Sequence, residues 1–271
     1  MPIAKSLRIS ILTSAVAALA LVGGCGKQPS ARIKPEQVDA QAAAMVSKPA
    51  AAAPVSAVLE PPPPPPAKRA PDTMIVIGDS FAVGVGMTLA QDLKPYPHIS
   101  LIQRGKISSG LNSPKFYDWE SELQRLIAAK KPDMLVVMIG GNDAHNGKGD
   151  QDWGQQYKLR CESFLRIAKE HDLPVYWSGL PPMGDKGFSA RIKVANQAMK
   201  DACDASGNCR YVDCWELFTD DKGEFTCQKK LSDGKTVTTR AKDGVHFTMN
   251  GYRLLSSRII ETIDDDFSLQ P

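Results

Sequence analysis

The sequence predicts an α/β domain built on a mostly parallel sheet of about five strands, with helices covering both faces of the sheet. The first observation is a series of short, continuous apolar runs, such as residues 134–139, several of which end in glycine. Such runs are typical of strands buried on both sides. The second observation is that longer amphipathic segments, such as residues 118–130, separate these runs. Strands that alternate with helices favour parallel pairing.

The first strand and the helix after it are the clearest elements. Residues 74–77 are four consecutive apolar residues, and a Gly-Asp-Ser turn at 78–80 leads from them into a helix at 81–93. The other predicted elements are, in order, a strand at 99–103, a helix at 118–130, a strand at 134–139, a helix at 155–171, a strand at 175–177, a helix at 190–205, a strand at 211–213 and a closing helix at 250–263.

A polar segment at residues 220–242 interrupts the alternation before the closing helix, and Leu-Ser-Asp-Gly-Lys at 231–235 is typical of a hairpin turn. Two interpretations of this segment stay open, because it could shape the mouth of a site or form an ordinary surface excursion. The aromatic residues Phe116, Tyr117 and Trp119 could line a pocket, but aromatic residues at the start of a helix more often belong to the core.

The N-terminus has the pattern of a signal peptide. Two basic residues, Lys5 and Arg8, precede an apolar run at 9–22, and Gly-Gly-Cys follows at 23–25. The run is short for a membrane span. We expect a lipoprotein signal peptide at residues 1–24 and a lipid on Cys25. An ordinary cleaved signal and a short uncleaved anchor are the alternatives.

Residues 25–72 are rich in alanine and proline and include six consecutive prolines at 61–66. Such a composition buries too little apolar surface to fold, so we expect a disordered tether between the lipid and a catalytic domain at 73–271. A docking motif for a proline-binding partner is the alternative. The expected location is the periplasmic face of the cell envelope, with the outer membrane preferred over the inner.

Cysteine spacing and net charge indicate which disulfides, metal sites and partners to expect. We expect disulfides Cys203–Cys209 and Cys214–Cys227 on the basis of close spacing in an oxidising compartment, although sequence leaves three pairings open. A zinc site is the alternative, but these cysteines lack paired CxxC knuckles and no histidine lies among them, so no metal is expected. Cys161, on a predicted helix, is expected to be a buried thiol. A net charge of +3 is too small to indicate a nucleic-acid partner.

Three polar residues form a candidate nucleophilic site. Ser80 lies between a strand and a helix, where its N–H is favourable to developing negative charge. A serine hydroxyl needs a base, and His246 is the histidine that has a carboxylate, Asp243, three residues earlier in a turn. Taken alone, Ser80 could be a helix cap and His246 a loop residue.

Asn142, in Gly-Gly-Asn-Asp at 140–143, follows a buried strand, and its amide could donate to an oxyanion. The same four residues also suit a plain turn. Because strands of a parallel sheet end at one edge, all these residues are expected to converge there.

The order Gly-Asp-Ser, Gly-Gly-Asn-Asp and Asp-x-x-His resembles the SGNH (GDSL-like) hydrolase superfamily over residues 74–263. The resemblance implies a three-layer flavodoxin-like fold, no cofactor, and a Ser80–His246–Asp243 site. It also implies an oxyanion hole made of Ser80, Asn142 and one glycine. The second motif, at 104–111, departs from the usual pattern, so that Gly110 is the preferred glycine and Gly105 the alternative.

The expected function is a cell-envelope serine esterase that removes O-acyl groups, preferentially O-acetyl, from peptidoglycan or another envelope carbohydrate. A lysophospholipase, a short-chain lipase or an acyltransferase could use the same residues. The alternative from another class is a non-catalytic binding or assembly module. The expected partners are the acylated carbohydrate or lipid substrate and the membrane that holds the anchor; no protein partner is indicated.

Overall fold

The computed structural model describes residues 71–270. The predicted signal peptide at 1–24, the lipidation at Cys25 and most of the predicted tether at 25–72 lie outside the described residues. No helix within 71–270 is long and apolar enough to cross a bilayer.

Five parallel strands form the central sheet in the order β2-β1-β3-β4-β5. Their carboxyl ends therefore lie along one edge, and in the register Gly78 at the end of the first strand faces Gly105 and Met138 on its two neighbours. The strands are β1 (Thr73–Gly78), β2 (Ser100–Gly105), β3 (Met134–Met138), β4 (Val175–Ser178) and β5 (Cys209–Val212). A separate antiparallel hairpin follows, made of β6 (Gln228–Lys230) and β7 (Thr236–Thr238).

Six helices complete three layers. In one helical layer α1 packs against α6, and in the other α4 packs against α2 and α5. The helices are α1 (Ser80–Asp92), α2 (Trp119–Lys130), α3 (Gly141–Asn146), α4 (Gln151–Lys169), α5 (Lys186–Ser206) and α6 (Met249–Phe267), and a 3₁₀ turn covers Trp215–Phe218. This arrangement confirms the predicted α/β fold with a parallel sheet of five strands.

The core lies between the central strands and the helices. Every residue of β3 and β4 is buried, because helices cover both of their faces. The chain enters the domain at the opposite end from the carboxyl edge, where Pro71 precedes β1 and the Ser100 N–H donates to the Asp72 carbonyl oxygen at 2.7 Å. Entry point and carboxyl edge are therefore separated by the length of β1.

One of the two expected disulfides is wrong. Cys203 and Cys209 are bonded across the turn from α5 to β5, as expected. Cys214 and Cys227, in contrast, are both free, the first buried and the second exposed. The Cys214 thiol points into the protein and donates to the Gly179 carbonyl oxygen at 3.0 Å, so close spacing in sequence does not bring the two sulfurs together. Cys161 is a buried thiol on α4, as expected.

Candidate active site

Ser80 begins α1 directly after β1. Asp79 caps the helix by accepting a hydrogen bond from the Phe81 N–H, so that Ser80 is held at the first helical position. The N–H groups of a first helical turn have no partner within the helix. The Ser80 hydroxyl and its free N–H therefore lie together at the carboxyl edge of the sheet.

His246 reaches Ser80 from a loop before α6. The Ser80 Oγ and the His246 Nε2 are 2.9 Å apart, and the His246 Nδ1 lies 2.7 Å from Oδ2 of Asp243. Residues 166 positions apart in sequence thus form one continuous hydrogen-bonded chain. The structure brings together the serine, histidine and aspartate that the sequence analysis selected.

The carboxylate fixes which ring nitrogen carries the proton. An ionised aspartate only accepts hydrogen bonds, so the Nδ1 of His246 must donate, which leaves the Nε2 lone pair to accept from Ser80. Burial alone would raise the pKa of Asp243. The hydrogen bonds from the His246 ring and from the N–H groups of Val245 and His246 lower this pKa more, and it lies below its usual value. Asp243 is therefore ionised at neutral pH.

A close backbone contact supports the Asp243–His246 loop. The Gly184 N–H donates to the Gly244 carbonyl oxygen at 2.8 Å, and a side chain on Gly184 would meet the Gly244 backbone at 3.3 Å. Gly244 also has a φ of 66°, which favours glycine. The segment before α5 thus holds the loop that carries His246.

Arg240 also supports the Asp243–His246 loop, and the sequence analysis missed this residue. Its guanidinium is buried under the Phe247 ring, 4.6 Å from the centroid, and donates to the carbonyl oxygens of Pro182 and Gly244. Burial lowers its pKa to about 10, and its Nε and Nη1 have no hydrogen-bond partner in the described part of the chain. A single charged residue inside the polar segment at 220–242 gave no sequence signal for this role.

The three residues open into a cavity of about 290 Å³. The side chains of His246 and Asp243 are 43% and 48% exposed, so the site is accessible from solvent without any opening movement. Apolar side chains from four different segments line the cavity around the hydroxyl: Phe81, Ile107, Phe188 and Val245. The cavity suits a small apolar group next to the Ser80 hydroxyl.

Asn142 lies in the same cavity, on the short helix α3, where the sequence analysis gave a plain turn as the alternative. Its Nδ2 donates to the Ser109 carbonyl oxygen at 2.9 Å, which fixes the amide plane. An amide nitrogen carries two hydrogens, so one remains for a ligand in the cavity. The placement is compatible with the donor role expected for Asn142.

Neither candidate glycine lines this cavity. Gly110 is buried against the Asp143 carboxylate, where an added Cβ would lie 2.4 Å from Oδ1, and Gly105 packs against Val83. Ile107 and Ser108 line the cavity instead. They are the central residues of a turn that the Ser109 N–H closes on the Lys106 carbonyl oxygen, with Ser108 at a φ of 63°. Neither Gly110 nor Gly105 therefore has access to the cavity, and the structure gives no reason to prefer one of them over the other.

Two buried carboxyl groups connect the motif segments. Asp79 accepts hydrogen bonds from the N–H groups of Gly140 and Gly141, and Asp143 accepts from those of Leu111 and Asn112. Burial raises the pKa of Asp79 to about 7, with a further contribution from the charge of Asp143, and burial also raises the pKa of Asp143. Asp79 and Asp143 lie inside the Gly-Asp-Ser and Gly-Gly-Asn-Asp motifs. Their position directly after buried strands is the sequence feature that could have indicated this connecting role.

The other residues and segments considered in the sequence analysis do not line the cavity. Trp119 is buried in the core, Phe116 is exposed, and neither lines the site. The hairpin within 220–242 is present, but none of that segment lines the cavity. A larger cavity, of about 880 Å³, lies at the amino ends of the strands, beside Pro174 and Cys209. Within residues 71–270 no group of three histidine, cysteine, aspartate or glutamate side chains is arranged to hold a metal ion.

Comparison with known proteins identifies the fold. The model of a family described as "Protein of unknown function (DUF459)" matches residues 73–262. No curated protein matches the chain. Among solved structures, LAE5, an α/β hydrolase from the metagenome of Lake Arreo, Spain, is 16% identical, with a TM-score of 0.55 over 72% of this chain and 96% of that chain.

Two further solved structures share the fold. The acetyl xylan esterase AlAXEase is 17% identical, with a TM-score of 0.53 over 70% of this chain and 98% of that chain. The acetyl-xylooligosaccharide esterase Axe2 of Geobacillus is 16% identical, with a TM-score of 0.53 over 71% and 94%. These likenesses confirm the SGNH hydrolase fold that the motifs predict.

Proposed function

The chain belongs to the DUF459 family, and from that membership and the geometry of Ser80, His246 and Asp243 we propose that it is a serine esterase of the SGNH hydrolase superfamily. The observation that carries the proposal is the continuous hydrogen-bonded chain from the Ser80 hydroxyl through His246 to Asp243. It is open to a cavity at the carboxyl edge of the sheet. The proposed reaction is hydrolysis of a carboxylic ester through an acyl-enzyme.

In the first step the Ser80 Oγ attacks the ester carbonyl carbon while its proton passes to the His246 Nε2. Asp243 stabilises the imidazolium that forms. The carbon–oxygen bond to the alcohol then breaks, and the alcohol oxygen takes the proton from Nε2. Water attacks the acyl-enzyme with His246 as base, the acid is released, and the Ser80 hydroxyl regains its hydrogen.

The negative charge on the carbonyl oxygen needs donors that are in place before the reaction. We assign this role to the Ser80 N–H, the Asn142 amide and the Ser108 N–H. Ser108 replaces the glycine of the sequence prediction because its turn faces the cavity and leaves its N–H without a partner inside the turn.

The proposed substrate is an O-acyl ester, preferentially O-acetyl, on an envelope carbohydrate such as peptidoglycan. The small apolar cavity beside Ser80 fits a short acyl group, and the exposed base leaves room for a large alcohol. Two structures that share the fold are named as acetyl esterases of xylan or its oligosaccharides. A lipid anchor on Cys25 and a location on the periplasmic face of the envelope are part of the proposal.

The test is hydrolysis of p-nitrophenyl acetate, butyrate and octanoate by the purified protein and by Ser80→Ala. We expect turnover of the acetate ester, a decline with chain length, and loss of at least about 10³-fold of the rate in the variant.

Ser257→Ala is a suitable control, because Ser257 is exposed on α6 and does not line the catalytic cavity. A fluorophosphonate probe should label the wild type and not Ser80→Ala. Absence of both turnover and labelling would overturn the esterase in favour of a non-catalytic module. A rate that rises towards octanoate would support a lipase instead.

A further inference from the structure

A second cavity, of about 440 Å³, lies next to the catalytic one. We call it the polar cleft; its lining includes the side chains of Asn112, Asn146, Lys148, Trp153 and Gln156. Asn142 lines both cavities, and a molecule in the polar cleft would thus be adjacent to the group held beside Ser80. The two cavities therefore adjoin at Asn142.

From this arrangement we propose that the polar cleft binds the sugar of an acylated, uncharged carbohydrate while the acyl group occupies the catalytic cavity. The inference rests on the proposed esterase function and identifies where the alcohol part of the ester, a sugar, binds.

The side chains that line the polar cleft favour a sugar as its ligand. A carboxamide offers both donors and an acceptor, as a sugar hydroxyl does, and the cleft presents amides from Asn112, Asn146 and Gln156. Trp153 is half-buried there, with its indole stacked on Tyr157, and adds a limited apolar surface beside these amides. A cleft with one large apolar side chain gives little stabilisation to an acyl chain.

Charge argues against an anionic ligand. The lining carries one cation, Lys148, and three carboxyl groups: Asp143, Asp150 and Asp152. A phosphate or a polyanion would face net negative charge at this position, because Lys148 is outnumbered. The alcohol side is therefore better suited to a neutral sugar than to a phospholipid headgroup.

The cleft is held in place by buried contacts. The Trp153 ring stacks on that of Tyr157, with centroids 5.0 Å apart and planes within 10°, and the Tyr157 hydroxyl donates to Asp143. Gly147 allows this packing, since an added Cβ would lie 2.4 Å from the indole. Asp143 in turn accepts the Asn112 N–H. Tyr157 and Asp143 thus fix the cleft relative to Asn142, so binding needs little ordering of the protein.

The test compares two substrates in two variants. The side chains of Asn112 and Gln156 are exposed and lie in the polar cleft, so Asn112→Ala/Gln156→Ala should fold normally. Gln155→Ala is the matched control, because Gln155 is the exposed neighbour on α4 and lines a different cavity. The substrates are p-nitrophenyl acetate, which has no sugar, and acetylated xylo- and chito-oligosaccharides.

We expect the double variant to raise KM for at least one oligosaccharide about tenfold, with kcat little changed and p-nitrophenyl acetate turnover within twofold of wild type. Gln155→Ala should match the wild type on both substrates. Equal loss on both substrates, no loss on either, or no preference of the wild type for any acetylated sugar would overturn the sugar-binding assignment. Absence of Ser80-dependent turnover of p-nitrophenyl acetate would instead remove the esterase itself.

Discussion

Asp79 makes a prediction about stability that can be worked through in detail. This side chain is fully buried directly before the nucleophile, and burial raises its pKa from 3.8 to about 7. In the unfolded chain the carboxyl group ionises near its ordinary value. Between these two pKa values the folded state therefore binds one proton more than the unfolded state, and the free energy of unfolding falls as pH rises.

The size of the effect follows from the pKa difference. Each pH unit costs about 1.4 kcal/mol, so the two units from pH 5 to the folded pKa near 7 remove about 3 kcal/mol of stability, and little changes above that. Asp79→Asn abolishes the titration. Its amide has one acceptor oxygen, so it cannot accept both the Phe81 N–H, which donates to Oδ1 in the wild type, and the Gly140 and Gly141 N–H groups, which donate to Oδ2, but that cost is independent of pH.

The assay is urea unfolding of wild type and Asp79→Asn at pH 5, 6, 7 and 8, followed by circular dichroism. The wild type should lose about 3 kcal/mol relative to the variant from pH 5 to 7. Asp118→Asn is a matched control, because Asp118 also caps a helix but is exposed and has a pKa below its usual value. A difference between wild type and Asp79→Asn that is the same at all four pH values would refute the reasoning.

Three further predictions concern the site and its supports. Asp243→Asn should lower kcat for p-nitrophenyl acetate about 10²–10³-fold with little change in KM, because the imidazolium loses its carboxylate; an unchanged kcat would exclude Asp243 from this role. Arg240→Met should lower kcat about tenfold by loosening the loop that carries His246, while urea unfolding changes little because Nε and Nη1 of Arg240 already lack partners among the described residues; intact kcat contradicts this. Replacing Cys203 and Cys209 by serine should reduce the free energy of unfolding by about 2 kcal/mol, as expected for a short loop, and the wild type in reductant should match the variant.

The sequence predicted β1, β3 and β4 well because each is a buried apolar run, whereas the edge strands β2 and β5 are partly exposed and give a weaker pattern. Helix boundaries were less accurate, since the first turns of α4 and α5 are polar and exposed in part. Both helices begin four residues earlier than predicted, immediately after the capping residues Asp150 and Asp185. The helix α3 was missed because Gly140 and Gly141 favour a turn when read without their surroundings.

The site shows the same division between local and tertiary information. Ser80, Asp243 and His246 could be selected because each stands in a short motif at the end of a predicted element. The approach of Ile107 and Ser108 to the cavity depends on a left-handed residue that is not glycine, which no residue type at that position signals. Likewise, whether Cys214 meets Cys227 depends on the direction of the Cys214 side chain, which spacing does not determine.

The direction of β1 has a mechanical consequence. Its six residues span about 20 Å, with the connection to residues 1–70 at one end and Ser80 just beyond the other. Any force transmitted through the N-terminal segment therefore acts on the domain at the amino end of β1, away from Ser80.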